Sequence, residues 1–195
     1  MKGIKLQFLP NLVREWRRFL SLVLLLVCLF SLSTSPAFAE LKDDRYDGNI
    51  FVVYAGNGSL VPPRATLASA LNEHKPALLV FYVDDSSDCK QYAIVVSRLQ
   101  AFYGGVTEMI PVDVDSIVPT QTYNSTEPGY YYSGAVPQVV LFDQSGQIVL
   151  NKTGQVPYEE VDAQLRKVFD LLPRSESMEL KRRSFNELNS ELTEE

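Results

Sequence analysis

Apolar residues in this chain of 195 gather into runs separated by polar turns, and their spacing predicts an order of elements. The clearest run is Ala77 to Val83, unbroken and rich in β-formers, the pattern of a strand buried on both faces. Asp84-Asp85-Ser86-Ser87-Asp88 ends it with turn formers and helix caps. A helix is expected from around Cys89 through Phe102, turning Tyr92, Ile94, Val95 and Val96 inward, with Tyr103-Gly104-Gly105 as its stop. Upstream, Ile50-Phe51-Val52-Val53-Tyr54 predicts a first strand. Pro62-Pro63 predicts the start of a helix with Leu67, Ala70 and Leu71 on its apolar side, closed by His74-Lys75-Pro76.

Downstream, Val106 to Val114 predicts a third strand, with Pro111 suited to an edge or an end. Ser116 to Ser133 is long and polar, and loops of this length are uncommon unless functional or disordered. Two β-rich runs then flank Asp143-Gln144-Ser145-Gly146, which predicts a hairpin. A proline before a strand of central character is accounted for by a cis Val136–Pro137 bond. Tyr158 to Leu172 predicts a last helix, with Val161, Leu165, Val168, Phe169 and Leu172 on one face. Strands alternating with helices make this an α/β domain over 49–173.

The two ends lie outside that domain. Lys2, Lys5, Arg14, Arg17 and Arg18 precede an apolar run from Phe19 to Leu32, and Ala37-Phe38-Ala39 is an A-x-A cleavage pattern. Residues 1–39 therefore read as a signal peptide or a membrane anchor. The run of 14 residues is short for a bilayer, which needs about 17–25. Residues 40–48 are charged and aperiodic, and read as a linker. Residues 174–195 form a polar tail. Met178, Phe185, Leu188 and Leu192 fall on one helical stripe there, either as part of a solvated helix or as a docking face.

Charge and cysteine content narrow the function. The formal charge is −6, and loss of the five N-terminal cations together with Glu15 takes it to −10. So acidic a domain argues against nucleic acid or an anionic lipid surface as partner. Without residues 1–39 a single cysteine remains, Cys89, so no intramolecular disulfide forms even in an exported protein. Gly56 and Gly58 lack the Lys-Ser/Thr that a phosphate cradle needs. His74, the only histidine, sits at a helix end before Pro76, a place explained by the helix dipole. Asp84, Asp85, Asp88, Asp113 and Asp115 do not follow a calcium-loop pattern, so no metal and no cofactor is expected. Tyr130-Tyr131-Tyr132 offers amphipathic surface for an interface, or else a cover for the sheet.

Strand, polar turn and a cysteine in the first helical turn is an arrangement that lowers thiol pKa values. With Lys75-Pro76 ahead of the strand, Phe81-Tyr82 within it, Cys89-Lys90 after it and Val136-Pro137 before the hairpin, residues 49 to 173 resemble the thioredoxin family. The resemblance implies an α/β, thioredoxin-like fold: a central mixed sheet of about four to five strands flanked by helices. It also implies that Cys89 matches the second, more buried cysteine of Cys-x-x-Cys. The motif here is Ser86-Ser87-Asp88-Cys89, with serine in place of the attacking cysteine. A hydroxyl cannot form the mixed disulfide through which dithiol exchange runs.

The leader, the Ser86-x-x-Cys89 motif and the acidic tail together resemble the thioredoxin-like photosystem I accumulation factors of the cyanobacterial thylakoid. That resemblance implies a thylakoid membrane or lumenal protein, with a periplasmic one as the alternative. Its partners would be subunits of a photosynthetic membrane complex, bound in a peptide groove at Tyr82, Val136 and Pro137 and at Tyr130–Tyr132, Phe185, Leu188 and Leu192. Membrane association would come through the N-terminal segment or through a partner. Non-catalytic protein binding is the first reading. The second is a monothiol disulfide oxidoreductase using Cys89, and a third is a structural subunit of a membrane complex held by the tail.

Overall fold

A computed structural model describes residues 9–32 and 40–177, in two compact units, residues 1–39 and 40–195. In the first unit, α1 spans Leu9–Leu32. Its apolar side chains Phe19, Leu22, Leu24, Leu25 and Val27 are exposed. No helix among the described residues is long and apolar enough to cross a membrane. The Ala37-Phe38-Ala39 pattern lies outside the described residues.

The second unit is built on a four-stranded sheet. In chain order its elements are α2 (Ile50–Val53), α3 (Leu67–Asn72), β1 (Ala77–Tyr82), α4 (Ser87–Tyr103), β2 (Glu108–Asp113), β3 (Gln138–Phe142), β4 (Ile148–Thr153) and α5 (Tyr158–Val168). The sheet order is β2-β1-β3-β4, with β2 parallel to β1 and the other pairs antiparallel. β1 is central and buried along its whole length. Leu78, Val80 and Tyr82 join one apolar cluster, with Ile50, Phe51, Cys89, Tyr92, Val96 and Leu165. Ala77, Leu79 and Phe81 join another, with Leu67, Ala70, Ile110, Val140 and Phe142. Each large side chain buried this way contributes about 1.5–3 kcal/mol.

The mixed sheet and its helices are those expected, but the predicted strand over 49–54 is a helical turn. Asn49 caps it, its Oδ1 accepting the Phe51 N–H at 3.1 Å. The Val53 and Tyr54 N–H groups bond back to Asn49 and Ile50, and the Ile50 N–H goes to Asp84 Oδ1 at 2.9 Å. The β-formers at this position answer to burial rather than to a ladder: Ile50 and Phe51 point into the core while Val52 and Val53 face out. The sheet therefore has four strands.

Other boundaries shift for local reasons. α3 begins at Leu67, not at Pro62-Pro63, because Thr66 and Ser69 form a reciprocal capping box. It ends at Asn72, and His74, two residues beyond, has a left-handed φ of 54°, so the histidine's place is a helix stop. β2 starts at Glu108 because the Val106 and Thr107 N–H groups turn back to the Tyr103 carbonyl. It is an edge strand, where Pro111 costs no ladder bond. α5 stops at Val168, and Asp170 adopts φ 52° just beyond it. Arg174, just past the expected domain end, is bonded into the domain through Asp162.

Candidate functional site

The end of β1 sets the site. Val83 to Asp85 lead into Ser86, which is extended (φ −97°, ψ 124°) and caps α4, its Oγ accepting the Cys89 N–H at 3.3 Å. The Ser86 carbonyl accepts the Lys90 N–H at 2.9 Å. Asp88 Oδ1 accepts from Gln155 Nε2 at 2.7 Å, which ties the motif to the segment between β4 and α5. The hydroxyl at position 86 thus serves the helix terminus, where such a cap contributes about 1 kcal/mol.

Cys89 is 1 % exposed and lies in the core with Tyr92, Ala93 and Val96. Burial pushes its thiol above the ordinary range. Hydrogen bonds from the Val83 backbone and the Ser86 side chain pull the other way, and the charges of Asp88 and Asp85 add to the rise. The result is a protonated, inaccessible sulfur at neutral pH, which is a poor nucleophile.

Lys90 does not help the thiol. Its Nζ is fully buried and donates to Asp43 Oδ1 and Asp47 Oδ2, both at 2.9 Å, and to the carbonyls of Asp43 and Glu40 at 3.0 and 3.2 Å. Burial opposes its charge, but the hydrogen bonds of Asp47 and Asp43 outweigh it and hold the ammonium protonated. Asp43 is lowered to about 2, first by Lys90 and then by Arg45. Asp44 Oδ1 accepts the Ser87 N–H at 2.8 Å, in the first turn of α4. The segment 40–48, expected as a linker, is therefore fastened across the start of α4. Its role has no local signal, because acid and lysine lie more than forty residues apart.

The proposed groove residues separate. Tyr82 does not line a groove. It is 4 % exposed, packed edge-on against Phe51 at 5.0 Å, and its hydroxyl accepts from Asn49 Nδ2 at 3.0 Å. Burial pushes its pKa up to about 12. The aromatic closing β1 thus completes the core. Val136 is half-buried and Pro137 buried, and their peptide bond is cis. Gln138 pairs with Phe81, so Pro137 lies level with Tyr82, at the end of β1 from which the turn to Cys89 departs. The Pro137 carbonyl accepts from the Gly154 N–H at 2.7 Å, and Gly154 holds φ 86°, a conformation open to glycine.

The tyrosine triplet divides as well. Tyr131 lies edge-on to Phe142 with centroids 4.9 Å apart, and Tyr132 lies 5.4 Å from Phe81, so both cover the sheet. Tyr130 remains exposed. Phe185, Leu188 and Leu192 lie outside the described residues. Among the described residues no cluster of His, Cys, Asp or Glu is placed to hold a metal ion.

A second polar network escaped the sequence pattern. Asp162, 1 % exposed, accepts from Tyr103 Oη at 2.7 Å, Tyr158 Oη at 3.3 Å and Arg174 at 2.7 and 2.9 Å. Its position on α5, one residue after Val161, was the available signal: it shares the buried side of the helix.

The family model described as a thioredoxin-like domain matches residues 63–169. A Synechocystis sp. (strain ATCC 27184 / PCC 6803 / Kazusa) protein named thylakoid membrane protein slr1796 is 60 % identical over 166 residues, covering 85 % of this chain and 83 % of its own. Among solved structures, the germline-specific thioredoxin Deadhead of Drosophila melanogaster aligns with TM-score 0.40 and 19 % identity, over 51 % of this chain and 85 % of its own. Thioredoxin-2 of the malaria parasite aligns with TM-score 0.39 and 18 % identity, over 48 % and 82 %.

Proposed function

Because the chain belongs to the thioredoxin-like family, we propose that it is a member that binds proteins without dithiol exchange. One observation carries this reading: the motif's first position holds a helix-capping hydroxyl, and its last holds a buried thiol of raised pKa. Neither atom is equipped to open a partner's disulfide. What the family geometry keeps is the end of β1 beside Val136–Pro137, where an extended peptide can add through backbone hydrogen bonds.

The bound protein is a subunit of a photosynthetic membrane complex, and the function is assembly or accumulation of that complex, photosystem I in the reading given above. The thylakoid membrane, or the lumen beside it, is the corresponding location. Supporting this is a relative 60 % identical that is named a thylakoid membrane protein.

The test is capture from detergent-solubilised cyanobacterial thylakoids by the full chain, beside Cys89→Ser and Val136→Asp variants. Photosystem I subunits should be retained by the unaltered chain and by Cys89→Ser, and lost with Val136→Asp. Loss with Cys89→Ser in a folded protein would instead favour the monothiol oxidoreductase. Retention of no photosystem subunit would overturn the assembly role.

A further inference from the structure

The segment 40–48 is held in an unusual way. It contains no helix or strand, and none of its residues is buried. Its hold on the domain is polar: Asp43, Asp47 and the Glu40 carbonyl at Lys90 Nζ, Asp47 and the Glu40 carbonyl at the Tyr54 hydroxyl, and Asp44 at the Ser87 N–H. Beneath it lies a fully buried ammonium. Apolar burial resists exchange because the whole shape must be matched. A carboxylate set is strongly held, but another carboxylate set satisfies the same donors in its place.

From this we infer that the surface under residues 40–48 is a docking site for an acidic segment of a partner protein, and that the strap is its built-in competitor. The socket consists of Lys90 Nζ, the Ser87 N–H in the first turn of α4 and the Tyr54 hydroxyl. The strap shows what fits: carboxylates four residues apart at Lys90, with a third between them on the helix terminus. Lys90 cannot be left bare, since an unpaired buried charge is strongly unfavourable. Strap and partner therefore exchange rather than simply open. Tethering gives the strap an effective concentration on the order of millimolar, so only a partner that is locally concentrated, or that also holds a second surface, displaces it. The socket shares no residue with the Val136–Pro137 groove.

The test uses the full chain and a fluorescein-labelled peptide with the strap's sequence, residues 40–48, followed by anisotropy. In Asp43→Asn/Asp47→Asn the strap loses its charges, and the peptide should bind at least about tenfold tighter than to the unaltered chain. Adding Lys90→Met should abolish that binding. Equal affinity for the unaltered chain and the double variant would overturn the proposal. Should the double variant fail to fold, trypsin cleavage after Lys42 and Arg45 of the unaltered chain decides. Excess peptide should speed those cuts several-fold relative to the cut after Lys152 in β4, and an unchanged ratio would overturn the proposal. Groove variants at Val136 should leave both readouts unmoved.

Discussion

Ser86 Oγ receives the backbone N–H of Cys89 at 3.3 Å, so the side chain that replaces an attacking thiol is engaged in starting the helix. Serine serves as a helix cap, whereas alanine does not. Ser86→Ala should therefore cost about 1 kcal/mol, read as a lower urea midpoint with unchanged slope. Ser86→Cys places a thiol where the α4 dipole favours thiolate. Supplied with dithiothreitol, that variant should reduce a reporter disulfide that the unaltered protein leaves intact. An equally inactive Ser86→Cys protein, folded by circular dichroism, would show that more than one atom separates this chain from dithiol exchange.

Cys89 provides the complementary prediction. With its sulfur buried and its pKa raised, alkylation by iodoacetamide at neutral pH should run about a hundredfold slower in the folded chain than in denaturant, in line with a thiolate that is both scarce and inaccessible. Cys28, exposed on α1, reacts at its own rate and must be replaced by serine for the measurement. Alkylation at the rate of a free thiol would favour the monothiol reading.

How much of this was legible beforehand follows the range of the interactions. The end of β1, the cap at Ser86 and the hairpin after Pro137 are written in adjacent residues, and the sheet and α4 form close to where the pattern puts them. Ile50–Tyr54 misled because β-branched and aromatic residues record burial, and here burial came with a capped turn. Tyr82 misled for a related reason. An aromatic at a strand end can face either side, and Asn49 and Phe51 drew this one inward. Lys90 was visible as a family feature, but its acidic partners in 40–48 were invisible, since no periodic pattern links residues so far apart.

Acid should loosen that same strap. Asp43 falls from 3.8 in the unfolded chain to about 2 in the fold, through Lys90 and Arg45, with Asp47 facing the same ammonium. A depressed carboxyl contributes stability that is complete above about pH 4 and is lost as pH falls toward 2. Asp84 works in the opposite sense: burial, then the charges of Asp113, Asp85 and Asp115, raise its pKa despite the Ile50 N–H, so protonation relieves it. Melting curves of the unaltered chain and Asp43→Asn should therefore differ at pH 6 and converge near pH 2. A gap that stays constant across that range would refute the ionic hold.

The Asp162–Arg174 pair offers a test of where the domain ends. Asp162 is buried on α5 while Arg174 is partly exposed, and the Tyr103 and Tyr158 hydroxyls share the carboxylate. Arg98 and Arg174 also lie over the Tyr158 ring, with centroid distances of 4.2 and 5.6 Å. Removing the acceptor leaves two phenols and a guanidinium without it, and a hydrogen bond to a charged group contributes about 1.5–3 kcal/mol. Asp162→Ala should thus destabilise by about 2–3 kcal/mol. Arg174→Ala, whose partner keeps both tyrosines and whose own charge is partly solvated, should cost about 1 kcal/mol. The double variant should cost little more than Asp162→Ala alone, because the two changes remove one interaction. An Arg174→Ala protein that melts in urea at the same midpoint as the unaltered chain would mean that residues 174–177 lie against the domain without stabilising it, and that its energetic boundary falls at Pro173, while additive losses would mean that Arg174 acts through contacts other than Asp162.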